Sequence, residues 1–181
     1  MATGLARIDC LVRRLCAAGA GLAMACLFAI IFVNALRRYT IGKSFAWGEE
    51  LPIYLAIYGV MFGVALAVLQ DRHVRFTLFV DLLPEKVRGR LFALTDLATA
   101  VTGALLAWSG LLLVQRRGGV EAAGLIGSAK DYAALTGWNW IEVFGYLAAW
   151  QSAIVVGGIL LAIAGLLRFV DRLTRSDERE A

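Results

Sequence analysis

Trp47-Gly48-Glu49-Glu50-Leu51-Pro52 opens a stretch that continues to Phe79-Val80-Asp81-Leu82-Leu83-Pro84. Between these ends lies an uncharged run over 51–70, with Gly59 and Gly63 inside it. The run stops at Asp71-Arg72-His73-Val74-Arg75, which carries the only histidine of the chain. About 20 apolar residues in helical form cross a hydrocarbon core roughly 30 Å thick. Lipid offers backbone groups no hydrogen bonds, so the run is expected to satisfy its own as a helix. Glu49 and Glu50 suit the positive end of that helix, and Pro52 suits its first turn, where a missing N–H costs little. The stretch reads as an acidic, aromatic helix start, one membrane span and a charged exit.

Three further uncharged runs, 15–36, 97–115 and 143–167, are long enough to span in the same way. The chain is 60% hydrophobic and 18% charged, against about 45–50% and about 25% in ordinary soluble domains. A membrane barrel would need alternating polar residues, which the runs lack. The expected fold is all-α and integral to the membrane: four transmembrane helices with short interfacial amphipathic helices. Residues 1–181 are expected to form a single membrane domain, with no low-complexity linker and no internal repeat.

Local signals mark the helix ends. Pro84 can start the third helix early, as an interfacial extension with Val87, Leu91 and Leu94 on one apolar face. Phe76, Phe79, Val80 and Leu83 share a face of a second interfacial piece. Asn139 with Glu142, and Ser128 with Asp131, have capping-box spacing, and Gly137 can end the short segment after Ser128. Tyr39, Phe45, Trp47, Trp138 and Trp140 fit an aromatic belt. The N-terminal run is too long for a cleaved signal core and ends in Arg37-Arg38, so it reads as an uncleaved anchor, although Ala23-Met24-Ala25-Cys26 faintly resembles a lipoprotein box.

The net charge of +4 comes from Lys and Arg beside the spans, which sets nucleic acid aside as a partner and makes the lipid bilayer the expected one. The N-terminus, the 71–96 connection and the tail hold three, five and four basic residues; the other two connections hold three each. The positive-inside bias predicts that both termini are cytoplasmic. Glu49 and Glu50 would then lie at the outer face and His73 at the inner.

The chemistry of catalysis is missing from the pattern. One histidine cannot ligate a haem from both sides, and no zinc cluster, nucleophile elbow or phosphate loop is visible. Cys10, Cys16 and Cys26 form no CxxC pair. No enzymatic activity and no cofactor is expected. Intramembrane charges usually mark ion or substrate paths, and the span interiors hold almost none. Their polar residues are Asn34, Gln70, Thr95, Asp96, Thr99, Thr102, Ser109, Gln115, Gln151 and Ser152, mostly near the run ends. The chain is not expected to carry a substrate alone.

Small residues recur every four positions at Ala17, Gly21, Ala25 and Ala29; at Gly59, Gly63 and Ala67; and at Ala149, Ala153 and Gly157. Such stripes let helices approach closely, either within this chain or onto another subunit. The candidate interface residues are Trp47, Glu49, Glu50, Gly59, Gly63, Ala67 and His73. Each also has a simpler use: helix-end electrostatics for the two glutamates, belt anchoring for Trp47, and a solvated or dipole-facing position for His73.

Taken together, Trp47-Gly48-Glu49-Glu50, a span with Gly63 near its middle, and His73-Val74 resemble the small membrane subunit of tripartite ATP-independent periplasmic (TRAP) transporters, the DctQ-type permease. Phe76-Thr77 stand where that family commonly has an aspartate, and the last span lacks the proline often found at its entry. The resemblance implies an accessory or scaffold permease subunit of a sodium-driven symport system for organic acid uptake. It implies a heterodimer with a large DctM-type membrane subunit, a periplasmic substrate-binding protein as further partner, and the bacterial cell inner membrane as location. The alternative from another class is a membrane anchor subunit of a redox or other enzyme complex.

Overall fold

The computed structural model describes residues 2–70 and 84–180, with side chains over 7–70, at 84 and over 87–174. His73, and the interfacial piece expected over 76–83, lie outside the described residues. The chain forms α1 (Ala2–Ile41), α2 (Trp47–Leu69), α3 (Glu85–Arg117), α4 (Ile126–Thr136), a 3-10 helix (Asn139–Gly145) and α5 (Leu147–Glu180). Stretches of α1, α2, α3 and α5 are long and apolar enough to cross a membrane: Arg7–Ile41, Trp47–Leu69, Val87–Arg117 and Leu147–Thr174. The protein is an all-α membrane protein.

The ends follow from backbone chemistry, not always as the sequence suggests. α1 has no proline and runs unbroken for 40 residues, about 60 Å at 1.5 Å per residue. It therefore begins well before the expected span, and stops at Gly42, whose φ of 75° is left-handed. Pro84 does start α3: with ψ at 143° its carbonyl accepts the amides of Val87 and Arg88. Three end assignments need correction. Pro52 is not in the first turn of α2, because the helix already starts at Trp47; it sits inside the helix and is buried. Ser128 lies within α4 instead of capping it, since Leu125 and Ile126 already donate to Ala122. Asn139 opens the 3-10 helix, and α5 begins only at Leu147, so residues 143–146 are not part of the fourth span. Gly137 ends α4 as expected, at φ 73°.

Side-chain contacts give the helix order. On α1 and α2, Asn34 meets Gly48, Met24 meets Gly59, and Gly19 meets Phe62, an antiparallel register. Between α2 and α5, Tyr58 bonds to Ala149 and Met61 packs on Gly157, a parallel register. α3 and α5 run antiparallel, with Gly110 beside Val155, Gly103 beside Gly158, and Asp96 paired with Arg172. The helices thus stand in the row α1–α2–α5–α3, with both termini at one end. We call the other end, with the α1–α2 turn, α4 and the 3-10 helix, the loop end.

The seam between α3 and α5 is the tightest contact. A Cβ on Gly165 would lie 2.6 Å from the Ala100 amide nitrogen, and one on Gly103 would lie 2.8 Å from the Gly158 carbonyl oxygen. Glycine is required there because backbone faces backbone. Elsewhere the core is small: Cys16, Ala65, Val68, Leu69, Leu161 and Ala164 close the junction of α1, α2 and α5. A single row covers little of each helix. Only 11% of the most apolar window of α1 is buried, against 33% for α5, so α1 is the outer member and α5 an inner one.

Candidate functional site

The Trp47-Gly48-Glu49-Glu50 motif stands at the loop end, and each of its residues has a distinct task. Asn34, near the end of α1, accepts the Phe45 amide at 2.8 Å and fixes the turn into α2. Gly48 follows from that contact, because a Cβ there would lie 2.7 Å from the Asn34 carboxamide carbon. Trp47 stacks on Phe45 with ring centroids 5.0 Å apart, and the Arg37 guanidinium lies 3.7 Å from the Phe45 ring centre. This cation–π stack holds the turn against α1.

The two glutamates part company. Glu50 accepts the amide of Gly124 at 3.0 Å, tying the start of α2 to the loop before α4. Gly124 is constrained in return: a Cβ would lie 2.8 Å from the Ala46 carbonyl oxygen. Glu49 is exposed, and among the described residues its carboxylate meets only the Ser44 hydroxyl, at 3.4 Å.

The connection from α3 to α5 is built to hold this end together. Ala122 donates to Gly145, Leu147 to Val120, and Ala148 to Gly118, which closes the loop on itself. Lys130 lies 3.0 Å from Glu121; that hydrogen bond and the carboxylate charge raise the ammonium above its ordinary pKa range. Trp150 donates to the Phe144 carbonyl at 2.9 Å and stacks on Tyr54 of α2. Trp138 and Trp140 stack on each other and are more than half exposed, consistent with the belt positions read from the sequence.

The small-residue stripes divide in three ways. Ala153 and Gly157 are buried, with Gly157 under Met61, so that stripe packs within the chain. Ala17, Gly21, Ala25 and Ala29 are all exposed on α1, and a Cβ on Gly21 would meet nothing within 4 Å. On α2, Gly59 is buried against Met24 and Ala23, whereas a Cβ on Gly63 would meet nothing within 4 Å; Ala67 is half-buried. The stripe reading missed the seam of Gly103, Gly110, Gly158 and Gly165, where small residues matter most.

Polar residues of the spans are mostly spent locally. Thr95, Thr99 and Thr102 donate to carbonyls one turn earlier in α3. Tyr58 donates to the Ala149 carbonyl and meets Ser152. Asp96 is buried and bonds to Arg172, whose guanidinium also lies 5.0 Å from the Phe92 ring centre. This pair fastens α3 to α5 towards the end that carries the termini.

A family model described as "Tripartite ATP-independent periplasmic transporters, DctQ component" matches residues 27–175. The chain is 30% identical over 116 residues to the sialic acid TRAP transporter small permease protein SiaQ of Vibrio cholerae serotype O1, spanning 63% of this chain and 67% of that protein. It is 34% identical over 62 residues to the sialic acid TRAP transporter permease protein SiaT of Haemophilus influenzae, spanning 34% of this chain and 10% of that protein.

Proposed function

The chain belongs to the DctQ component family of tripartite ATP-independent periplasmic transporters, a family of transporter subunits and not of enzymes, and from that premise we propose that it is the scaffold subunit of such a transporter. In this reading it braces a large DctM-type subunit in the bacterial inner membrane and does not itself carry substrate. The redox-anchor alternative falls away with family membership. The large subunit binds and moves the substrate, an organic acid taken up by sodium symport, and a periplasmic binding protein delivers it. Both termini face the cytoplasm, so the loop end faces the periplasm and residues 1–181 act as one membrane domain.

The observation that carries this reading is the uncovered single row of helices. Gly63 on α2 and Gly21 on α1 leave room for another helix backbone, and small residues favour close approach in lipid. The buried carboxylate among the described residues, Asp96, is neutralised by Arg172, which suits a brace better than an ion path. The match to a tenth of a much longer permease supports close association, since a segment like this one is there part of one polypeptide with a larger permease.

Co-purification tests the reading. A large DctM-type subunit co-expressed with this chain should co-purify with it, and a Gly63→Leu chain that inserts normally should lose most of that partner. Orientation is tested by cysteine labelling at positions 44 and 176, with Cys10, Cys16 and Cys26 replaced by alanine. Label should reach position 44 from the periplasm and position 176 from the cytoplasm.

A further inference from the structure

A cleft of about 650 Å³ opens between α1 and the start of α2 at the loop end. Its walls carry Asn34 and Arg38 from α1, and Ser44, Gly48 and Glu49 from the turn and α2; Ile31 lines its apolar part. Both charged groups are exposed. Asn34 spends its carbonyl oxygen on the Phe45 amide, which leaves its NH2 group to donate. Among the described residues Glu49 has only the long Ser44 contact. The cleft therefore offers a cation with an amide donor, and an anion lining the same opening.

Below the charges the surface turns apolar on both walls. On α1, Ile31 and Phe28 continue the Arg38 face by helical register and are 49% and 70% exposed. On α2, Ile53 and Val60 continue the Glu49 face and are 61% and 53% exposed. Both helices belong to the membrane-crossing set, so the charged opening stands above exposed apolar side chains on both helices.

We propose that this cleft is a phospholipid site selective for a zwitterionic headgroup with a primary ammonium. The phosphate accepts from Arg38 and from the Asn34 amide. The ammonium donates to Glu49, and the acyl chains lie along Ile31, Phe28, Ile53 and Val60. A lipid fits better than a free solute because exposed apolar side chains of both helices follow one to three turns below the charged opening. Ethanolamine fits better than choline because only a primary ammonium donates hydrogen bonds, and better than glycerol because only a cation satisfies Glu49. The proposal needs only that the helices cross a membrane, and stands apart from the scaffold reading.

The test is native mass spectrometry of the chain released from nanodiscs made of equal parts phosphatidylethanolamine, phosphatidylcholine and phosphatidylglycerol. Wild type should retain phosphatidylethanolamine in clear excess. Arg38→Gln should lose most of the bound lipid of all three kinds. Glu49→Gln should keep lipid but lose the preference for ethanolamine over choline. Asp131→Asn, at an exposed carboxylate outside the cleft, should behave as wild type. Circular dichroism checks that each variant keeps its helices, and Arg38→Lys, which keeps the cation, should restore retention. Equal retention of the three lipids by wild type would overturn the proposal. So would unchanged retention in both cleft variants, or displacement of the lipid by soluble phosphoethanolamine.

Discussion

Glu50 of α2 accepts the backbone amide of Gly124 at 3.0 Å, across 74 positions of sequence. The bond makes Glu50 a fastener between two parts of the loop end and leaves its neighbour Glu49 facing outward. Glu50→Gln keeps a carbonyl acceptor and should change stability little. Glu50→Ala strands the Gly124 amide, and an unsatisfied buried donor costs about 1–3 kcal/mol; partial exposure of the site puts the expected loss in the lower half. Thermal unfolding in detergent reads both, and equal midpoints for the two variants would show that the acceptor is dispensable.

Glycines at the helix contacts should respond in opposite ways. At Gly165 a methyl group would press on the Ala100 backbone, which cannot swing aside, so Gly165→Ala should cost about 1–3 kcal/mol as overpacking does. At Gly63 the space is open, so Gly63→Leu should leave the midpoint of the isolated chain unchanged while weakening association with the large subunit by roughly tenfold, or about 1.4 kcal/mol. A Gly63→Leu chain that unfolds early would place that face inside this chain and remove it from the interface.

The Asp96–Arg172 pair should behave as a buried ion pair with one partly wet partner. Asp96 keeps 8% of its side chain exposed and Arg172 22%. Replacing Asp96 with Asn removes the carboxylate that pairs with Arg172, and breaking such a pair costs about 3–5 kcal/mol, here towards the lower end. Asp96→Leu combined with Arg172→Met should recover most of that loss, because apolar replacement of both partners removes the stranded charge. A double variant no better than the single one would mean that the pair contributes more than its desolvation costs.

Glu49→Gln separates the two glutamates in transport. Among the described residues its carboxylate meets only the Ser44 hydroxyl, so the isolated chain should keep its stability. If Glu49 meets the large subunit or the binding protein, uptake by the assembled system should fall severalfold. Uptake and complex yield equal to wild type would return Glu49 to a helix-end role.

The four spans were legible because lipid imposes a simple demand: long uncharged runs over 15–36, 51–70, 97–115 and 143–167. The acidic start of α2 was legible for the same local reason. What the chain hid was non-local. Gly48 is glycine because of Asn34 and Glu50 is held by Gly124, and neither relation has a sequence signature. Ser128 and Asn139 have capping spacing, yet the Ala122 carbonyl sets where α4 begins and the Trp138 carbonyl accepts the first amide of the 3-10 helix. The α3–α5 seam escaped because its small residues fall at Gly103, Ala107 and Gly110 on α3 and at Gly158, Ala162 and Gly165 on α5. That is a four-then-three rhythm that follows the 3.6-residue turn, whereas the stripes sought had a strict spacing of four.

As the proposed brace of a transporter, this chain should carry no substrate by itself. Sodium-driven uptake of labelled organic acid into proteoliposomes tests it most directly, with the binding protein supplied outside. The account predicts no uptake with this chain alone, and uptake when it is assembled with the large subunit. Sodium-dependent uptake by this chain alone would contradict it.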